Sequence, residues 1–217
     1  TNNYTVNQLA LTGTIAAVTA TTYGDVLSAS GVASFTNKVG IDVIIPATTT
    51  VDTTGLTSTS GHLTAGTHTG IQKVTDLDGT DADNYTFANV KGDYTVNQLA
   101  LTGAAITTGS STYGSSQNMG TLSFTNKITN DVVTTATVTI FEGSNSSSGN
   151  LKAGTYKQTV VATLTGTDGA NYTFTGGFTT ATNNYTVNQL ALTGTIAAVS
   201  ATTYGDVLSA SGVASFT

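Results

Sequence analysis

The chain has 217 residues with a net charge of -6 and a pI near 4.4, and its composition excludes several classes of protein. Cys, Trp and Arg are absent, so no disulfide can form, and the basic residues are all Lys. Because nucleic-acid affinity comes mainly from Lys and Arg that neutralise phosphates, we expect no nucleic-acid partner. No apolar run approaches the roughly 20 residues that a membrane-spanning helix needs, so we also expect no membrane insertion.

Strand-forming and turn-forming residues dominate the sequence. Thr supplies about a fifth of the chain, and 24 Gly stand against a single Pro. Thr, Val, Tyr and Phe favour strands, whereas Ala, Leu, Glu, Lys, Gln and Arg favour helices. Charged residues make up only 8% of the chain, so hydroxyl and amide groups must provide much of its hydration. The composition therefore predicts an all-β protein with many Gly-based turns.

A ten-residue segment, YTVNQLALTG, occurs three times and sets the period of the chain. Its copies begin at Tyr4, Tyr94 and Tyr185, which are 90 and 91 residues apart. A Tyr-Gly marker follows the same spacing, at Tyr23, Tyr113 and Tyr204. A unit of about 90 residues with several strands has the size of an immunoglobulin-like β-sandwich and is too long for one coil of a solenoid. We therefore predict a tandem array of such units that forms an elongated fibre or rod.

A longer period lies on top of the first. Residues 1–36 recur at 182–217, and the only difference is Thr19 against Ser200. The two units within that offset have diverged from each other, so we expect the order A-B-A-B and a chain that is part of a longer polypeptide. The predicted bounds are 1–19 for the C-terminal part of a preceding repeat unit, 20–106 for repeat A, 107–197 for repeat B and 198–217 for the N-terminal part of the next unit A.

The apolar positions change parity within the repeated segment. Tyr94 and Val96 fall on one face of a strand, but Leu99 and Leu101 fall on the other. A regular strand would bury only one of these sets. The pattern therefore predicts a bulge or a strand handover near residues 97–98, where one segment closes its own unit and leads into the next.

The repeat motifs follow one order in both units: a Tyr-Gly marker, a central Ala-Gly-Thr segment, an Asn-Tyr-Thr-Phe strand and the ten-residue tail. In repeat A they are Tyr23-Gly24-Asp25, Gly66-Thr67, Asn84 to Phe87 and Tyr94 to Gly103. In repeat B they are Tyr113-Gly114, Gly154-Thr155-Tyr156, Asn171 to Phe174 and Tyr185 to Gly194. This series covers essentially the whole chain and resembles the YDG and MBG repeats of bacterial filamentous-haemagglutinin-like, two-partner-secreted adhesins. One departure is that the family's Tyr-Asp-Gly stands here as Tyr-Gly-Asp or Tyr-Gly-Ser.

The resemblance implies a location and a role. The family's repeats form secreted, mostly-β stalks or fibres at the bacterial cell surface, which extend an adhesive tip or build matrix. What it implies for this chain is an extracellular position, with neighbouring repeat units in the same chain or fibre as partners. The part that recognises an adhesive target would lie outside these 217 residues.

The side chains that catalysis needs are scarce. His62 and His68 are the only histidines, and His68 aligns with Tyr156 at an inward strand position, so we assign it a packing role. There is no Cys nucleophile and no Gly-x-Ser-x-Gly turn. Paired carboxylates need a cleft that raises one pKa, whereas these acids cluster in turns. We predict that the chain is not an enzyme and requires no cofactor.

One acidic cluster is dense enough to consider as a calcium site. It consists of Asp76, Asp78, Asp81 and Asp83. Ca²⁺ takes six to eight oxygen ligands, and a Gly-containing turn can bring several carboxylates together, although the spacing is not that of an EF-hand. Repeat B keeps only Asp168, aligned with Asp81. A calcium ion that stiffens a unit or a joint and a plain Asp-rich turn both remain open.

Five Asn-x-Ser/Thr sequons are candidate glycosylation sites. They are Asn3, Asn84, Asn145, Asn171 and Asn184. A chain this rich in Asn and Thr produces several sequons by composition alone, and Asn84 and Asn171 adjoin Tyr residues that are expected in the core. Modification and chance occurrence are therefore both open.

Two functions fit these observations, and a third fits less well. The first is a structural extender, or stalk, in a large secreted surface adhesin or extracellular fibre, giving length and stiffness for adhesion, biofilm or cell-cell contact. The alternative is a self-assembling extracellular filament subunit, in which a strand of one copy completes the sheet of the next. A carbohydrate-binding module would need exposed aromatic platforms, but there is no Trp and most Tyr and Phe stand at repeat-fixed positions.

Overall fold

A computed structural model describes residues 3–208 and 211–217, with every side chain among them except that of Ala47. Its strands are β1 (Leu9–Ala10), β2 (Gly13–Ile15), β3 (Thr21–Thr22), β4 (Ala33–Phe35), β5 (Ile45–Val51), β6 (Gly66–Asp78), β7 (Tyr85–Thr86), β8 (Lys91–Asn97), β9 (Leu99–Ala100), β10 (Ala105–Ile106), β11 (Gly109–Thr112), β12 (Leu122–Ser123), β13 (Thr134–Thr135), β14 (Thr139–Phe141), β15 (Gly154–Val160), β16 (Leu164–Thr165), β17 (Tyr172–Thr173), β18 (Phe178–Thr179), β19 (Tyr185–Asn188), β20 (Gly194–Ile196) and β21 (Ala214–Phe216). Two single-turn 3-10 helices, Ala82–Asn84 and Gly169–Asn171, complete the described elements.

The prediction of an all-β protein is confirmed. Strands alternate with turns and with longer loops such as 52–65 and 142–153, as expected for a chain rich in Thr and Gly. Among the described residues, no helix is long and apolar enough to cross a membrane. Residues 1, 2, 209 and 210, which belong to the predicted flanking segments, lie outside the described residues.

The chain divides into two compact units that interleave along the sequence. The first consists of Thr1–Ala105, Leu122–Thr137 and Val160–Phe178, and the second consists of Ile106–Thr121, Val138–Thr159 and Thr179–Thr217. The predicted bounds of repeats A and B rest on sequence periodicity alone and remain a prediction. Parts of both repeats lie in the first compact unit, and the candidate site described below is one place where they meet.

The first compact unit contains a sheet in the order β4-β2-β8-β6-β5, and β3 also pairs with β8. The long strand β6 runs antiparallel to β8, with Gly66 opposite Val96 and His68 opposite Tyr94. Strand β3 runs parallel to β8, with Thr21 opposite Val96. The end of β8, in the ten-residue segment, thus lies between its antiparallel partner β6 and the strand next to the Tyr-Gly marker, β3.

The second compact unit repeats this register one period later. Strand β15 runs antiparallel to β19, with Gly154 opposite Val187. Strand β11 runs parallel to β19, with Ser111 opposite Val187. These pairs occupy the positions of Gly66, Thr21 and Val96, so the same sequence motifs form the same sheet core in both repeats.

The chain changes sheets where the apolar parity changes. Strand β8 ends at Asn97, and the next strand, β9, begins at Leu99. Tyr94 and Val96 are buried by the sheet of β8, whereas β9 leaves that sheet and pairs in parallel with β17, Leu99 opposite Tyr172. The predicted strand handover near residues 97–98 is confirmed. The motif reaches two neighbouring parts of the first compact unit because its two halves present opposite faces.

Apolar residues of the repeat motifs form the cores. Among the described residues of the first compact unit, one buried cluster contains Leu11, Ile15, Ala33, Ile44, Val74, Tyr85 and Val90, and a second contains Tyr23, Leu63, Ile71, Tyr94, Val96 and Tyr172. The second compact unit has a smaller cluster around Leu151, Tyr185 and Val187. The three Tyr of the second cluster lie at repeat-fixed positions, so the repeat markers are core residues.

Candidate functional site

The carboxylate of Asp131 is buried in the first compact unit and is the centre of a hydrogen-bond network. Its Oδ2 accepts hydrogen bonds from the hydroxyls of Tyr23 at 2.6 Å and Tyr172 at 2.5 Å. Its Oδ1 accepts a hydrogen bond from the backbone N–H of Ser60 at 3.2 Å. Tyr23 and Ser60 come from repeat A, whereas Asp131 and Tyr172 come from repeat B. The carboxylate therefore joins residues of the two repeats, and we call this site the joint.

Two further side chains of repeat B hold the same turn of repeat A. Asp168 is 1% exposed, and its Oδ1 accepts a hydrogen bond from the backbone N–H of Thr59 at 3.1 Å. Asn171 accepts one through Oδ1 from the backbone N–H of Ala65 at 2.8 Å. Carboxylate and amide oxygens thus satisfy three backbone donors of the turn 58–65. Buried polar groups that are all satisfied in this way specify one arrangement of the surrounding segments.

Apolar contacts surround this polar centre. The rings of Tyr23 and Tyr172 meet edge to face with their centroids 5.3 Å apart, a geometry favoured by the aromatic quadrupole. Leu63 is buried in the same cluster. Partly buried side chains of both repeats pack around it, including Leu56, Ala65, Leu99, Leu101, Ile128, Val133 and Leu164. The shell keeps water away from the Tyr–Asp–Tyr hydrogen bonds and strengthens them.

The ionisation of the joint follows from these contacts. Burial raises the pKa of the Asp131 carboxyl, but hydrogen bonds from Ser60, Tyr172 and Tyr23 outweigh burial, so that this pKa lies below its ordinary value. Asp168 behaves alike, since the N–H groups of Val132 and Thr59 outweigh its burial. Burial and the neighbouring Asp131 raise the pKa values of Tyr172 and Tyr23. At neutral pH the joint holds two ionised carboxylates and two neutral phenols.

The same hydrogen bonds recur one repeat earlier in the chain. Tyr85 donates to Asp42 Oδ2 at 2.5 Å, as Tyr172 donates to Asp131. The N–H of Val43 donates to Asp81 Oδ2 at 2.8 Å, as the N–H of Val132 donates to Asp168 Oδ2 at the same distance. The acceptors of the joint are therefore preformed within each repeat.

The partner turn recurs one repeat later. Tyr23 donates to Ser58 Oγ at 2.6 Å in repeat A, and Tyr113 donates to Ser146 Oγ at 2.8 Å in repeat B. Buried Gln side chains match as well. Gln72 Oε1 accepts from the N–H of Gly31, and Gln158 Oε1 from that of Gly120, both at 2.7 Å. The repeated Tyr, Asp and Gln are therefore explained by repeated internal hydrogen bonds.

The four Asp of the predicted calcium site do not act as one ligand set. Asp76 and Asp78 are exposed, and each accepts a hydrogen bond from the N–H of the next residue. Asp81 accepts a hydrogen bond from the N–H of Val43, and Asp83 is exposed. Within residues 3–208 and 211–217, no three His, Asp or Glu side chains come together as a metal-binding group. These contacts are those of an Asp-rich turn, and calcium binding remains a prediction.

The two histidines lie in the first compact unit and make packing contacts. His68 Nε2 lies 2.8 Å from the backbone oxygen of Thr64. Tyr156, its counterpart in repeat B, donates through its hydroxyl to the backbone oxygen of Lys152 at the same distance. His62 meets the ring of Tyr23 edge to face, with centroids 6.0 Å apart. These contacts fit the packing role that the alignment with Tyr156 predicts for His68.

The five sequons differ in exposure. Asn3, Asn84 and Asn145 are exposed. Asn171 is 3% exposed and bonded within the joint, and the Asn184 amide donates to the backbone oxygen of Ile106 at 2.9 Å. A glycan on Asn171 or Asn184 would break these bonds, so the fold favours the exposed three as acceptors. Glycosylation at all five remains a prediction.

Sequence reasoning did not select Asp131, although it is the centre of the joint. A signal was present, because Asp-Val follows the Ser-Phe-Thr-Asn-Lys motif at Asp42 and again at Asp131. In the sequence alone, an isolated Asp in an apolar stretch resembles an ordinary turn residue. Its role becomes visible only when its hydrogen-bond partners in the neighbouring repeat are known. The site holds hydrogen bonds and apolar contacts between two repeats, an arrangement suited to mechanical coupling.

Comparison with known proteins assigns no family to the chain. No family model, no curated protein sequence and no solved structure matches it at a significant level.

Proposed function

We propose that this chain is a run of structural extender repeats from a large secreted bacterial surface adhesin or extracellular fibre of the YDG/MBG type. The observation that carries the proposal is the joint around Asp131, in which side chains of repeat B bind a turn of repeat A. Such a contact fixes one repeat against its neighbour. Its acceptor residues and its turn are found in both repeat A and repeat B. A passive spacer of defined length and stiffness needs this property.

The fold class supports the proposal at a coarse level, since all-β units that share one register suit a tandem array. We propose that each repeat is an immunoglobulin-like sandwich unit and that successive units form an elongated rod. Handover strands such as β8–β9 then connect each unit directly to the next. Low charge and abundant Thr suit a chain that folds outside the cell, where cross-strand Thr pairs add stability.

The proposal is tested on the native protein from the cells that make it. An antibody raised against residues 53–65 should label intact cells, and brief protease treatment of those cells should remove the signal. The fully denatured native chain should have a mass of hundreds of kilodaltons, because a stalk is one covalent array. A native chain near 21.9 kDa, or labelling only after the cells are broken open, would contradict the stalk.

A self-assembling filament joined by strand complementation is the second candidate. It is favoured by residues 190–217, which expose Leu192, Ile196 and Tyr204, although identical residues are buried within 9–36. In a filament, this segment would enter the sheet of another copy in place of residues 9–36. A small native chain that forms fibres would select this candidate over the stalk.

A further inference from the structure

The first compact unit carries a second set of joint acceptors. Asp42, Asp81 and Asn84 stand at the positions of Asp131, Asp168 and Asn171, and we call these three residues the acceptor face. Within the described residues, no donor reaches Asp42 Oδ1, Asp81 Oδ1 or the Asn84 side chain. The corresponding atoms of the joint all accept hydrogen bonds from backbone N–H groups.

The second compact unit carries the matching donors. Residues 146–153, here called the donor turn, correspond to 58–65, and Tyr113 stands beside them as Tyr23 stands in the joint. In the part of the chain that the structure describes, no acceptor reaches the backbone N–H of Ser147, Ser148 or Ala153. Their counterparts, Thr59, Ser60 and Ala65, donate to the three acceptors of the joint.

One apolar side chain of the acceptor face is exposed in the same way. Val39 is 57% exposed, although its counterpart Ile128 packs in the joint. The places that Leu99 and Leu101 fill in the joint are filled at the acceptor face by Leu9 and Leu11 of the same copy. Val39 is therefore an exposed apolar residue that docking would bury.

Charge distinguishes this pair of faces from the formed joint. Lys152 precedes Ala153 in the donor turn, and Asp83 precedes Asn84 in the acceptor face. In the joint the same positions hold the uncharged Thr64 and Ala170, next to residues joined by the 2.8 Å hydrogen bond of Ala65 to Asn171. Opposite charges therefore meet only if the donor turn of repeat B docks on the acceptor face of repeat A, which favours that pairing.

We propose that the donor turn of one copy of this chain binds the acceptor face of a second copy, in the geometry of the joint. The Ser148 N–H and the Tyr113 hydroxyl bind Asp42, the Ser147 N–H binds Asp81, and the Ala153 N–H binds Asn84. Lys152 then lies beside Asp83 of the other copy. The contact is heterologous, because different surfaces of the two copies meet, so it adds copies in series.

Two segments have to turn aside when the copies meet. Residues 3–8 of the receiving copy would otherwise occupy the place of 184–189 of the donor copy, since these are two versions of one motif. Tyr4 and Val6 are 91% and 81% exposed, and the apolar side chains within 190–208 and 211–217 are also exposed. Moving either segment therefore removes little buried surface, although moving residues 3–8 breaks the 2.8 Å hydrogen bond from Gln8 Nε2 to the backbone oxygen of Asp83. Binding between two copies requires only these two surfaces, so it does not depend on the extracellular location proposed above.

The experiment measures self-association of the full 217-residue chain by sedimentation velocity over a wide concentration range. We expect the average sedimentation coefficient to rise with concentration and the association to weaken as salt is added. Lys152→Asp and Asp83→Lys should each weaken association at least tenfold. Both side chains are exposed and make no hydrogen bond within the described residues, so the variants should fold normally. Lys91→Asp and Asp76→Lys make the same charge changes outside the two faces and should leave association unchanged.

The decisive readout is rescue. A chain that carries Lys152→Asp together with Asp83→Lys should associate as strongly as the wild type, because the charges are exchanged. Failure of this rescue would overturn the proposal, as would a wild-type chain that stays monomeric to millimolar concentration. Association lost in Ile196→Asp but unchanged in Lys152→Asp would overturn it in favour of strand complementation. The two proposals can also be told apart. If the 217-residue chain stays monomeric while the denatured native protein has a mass of hundreds of kilodaltons, this inference is overturned and the stalk proposal stands.

Discussion

Residues 9–36 and 190–217 have the same sequence except at Thr19 and Ser200, yet they differ in burial. Both form the same hairpin, in which β2 pairs with β4 and β20 pairs with β21 in one register. Leu11 and Ile15 are 0% and 6% exposed, whereas Leu192 and Ile196 are 64% and 72% exposed. The local sequence thus determines the hairpin, and distant segments determine whether it becomes core.

The difference comes from the partners that only the first segment has. Leu11 N–H donates to the backbone oxygen of Thr86 at 2.7 Å, and Tyr23 N–H donates to that of Asn97 at 2.8 Å. Gly31 N–H donates to Gln72 Oε1. The acceptors of these three bonds all lie within residues 72–97 of the same compact unit. A third of a repeat has a fold of its own but gains its buried surface from the rest of the repeat.

The largest expected effect on stability is that of replacing Tyr23, compared with the same replacement at its counterpart Tyr204. Tyr23→Ala should lower the free energy of unfolding by about 3–5 kcal/mol, because it removes a buried ring and leaves a cavity. Tyr204→Ala, at the identical exposed position, is the matched control and should cause no measurable change. The measurement is urea unfolding followed by circular dichroism. Equal effects of the two substitutions would contradict the account.

The joint can be weakened without changing its shape. Asp131→Asn should cost about 1.5–3 kcal/mol, because two Tyr hydroxyls lose an ionised acceptor. Asp42→Asn is the matched control, since Asp42 accepts from one Tyr rather than two, and should cost clearly less. Urea unfolding of the two variants side by side tests the difference. A larger loss from Asp42→Asn would show that the joint is not the more stabilising of the two sites.

Two equivalent glycines test how burial of the hairpin changes the loss of stability when a Cβ is placed against the backbone. A Cβ at Gly31 would lie 1.9 Å from the backbone oxygen of Ala16, and one at Gly212 would lie 1.8 Å from that of Ala197. Gly31→Ala should cost about 1–3 kcal/mol, because the buried hairpin cannot relax. Gly212→Ala should cost less, because its exposed hairpin can open. Thermal unfolding of both variants checks the order, and a greater loss from Gly212→Ala would reverse it.

The smallest expected effect is the dependence of stability on pH. Because the folded-state pKa values of Asp131 and Asp168 are lowered, their contribution is present above about pH 4 and is lost as the pH falls through the folded values. The raised pKa values of Tyr23 and Tyr172 give a contribution that is present below about pH 10 and is lost at higher pH. Unfolding free energies between these limits should be nearly constant.

Variants assign the two limbs of that profile. Asp131→Asn should reduce the loss of stability on the acid side, and Tyr172→Phe should reduce it on the alkaline side. The measurement is urea unfolding at a series of pH values for the wild type and both variants. An acid limb of unchanged slope in Asp131→Asn would show that this carboxylate does not contribute to it.

The sequence predicted those features that depend on local pattern. Thr and Gly content indicated an all-β fold, and the parity change between Val96 and Leu99 predicted a bulge or a handover near residues 97–98, where β8 ends and β9 begins. The joint could not be predicted, because Asp131 obtains its two Tyr partners from residues 108 positions before and 41 positions after it. Calcium binding at Asp76, Asp78, Asp81 and Asp83 remains a prediction. Alternation of Asp in sequence does not by itself direct carboxylates to one point. Asp76 and Asp78 each accept from the N–H of the next residue, whereas Asp81 accepts from the distant N–H of Val43.

The most direct test of the account compares the two identical segments within one molecule by hydrogen exchange. Peptic peptides covering residues 8–27 and 189–208 differ only at Thr19 and Ser200, so their masses distinguish them while their intrinsic exchange rates are nearly the same. We expect strong protection at Leu11 and Tyr23, whose N–H groups bond to distant strands, and rapid exchange in the second peptide. Equal protection of the two peptides would contradict the claim that distant residues of the repeat, rather than the segment itself, create the core.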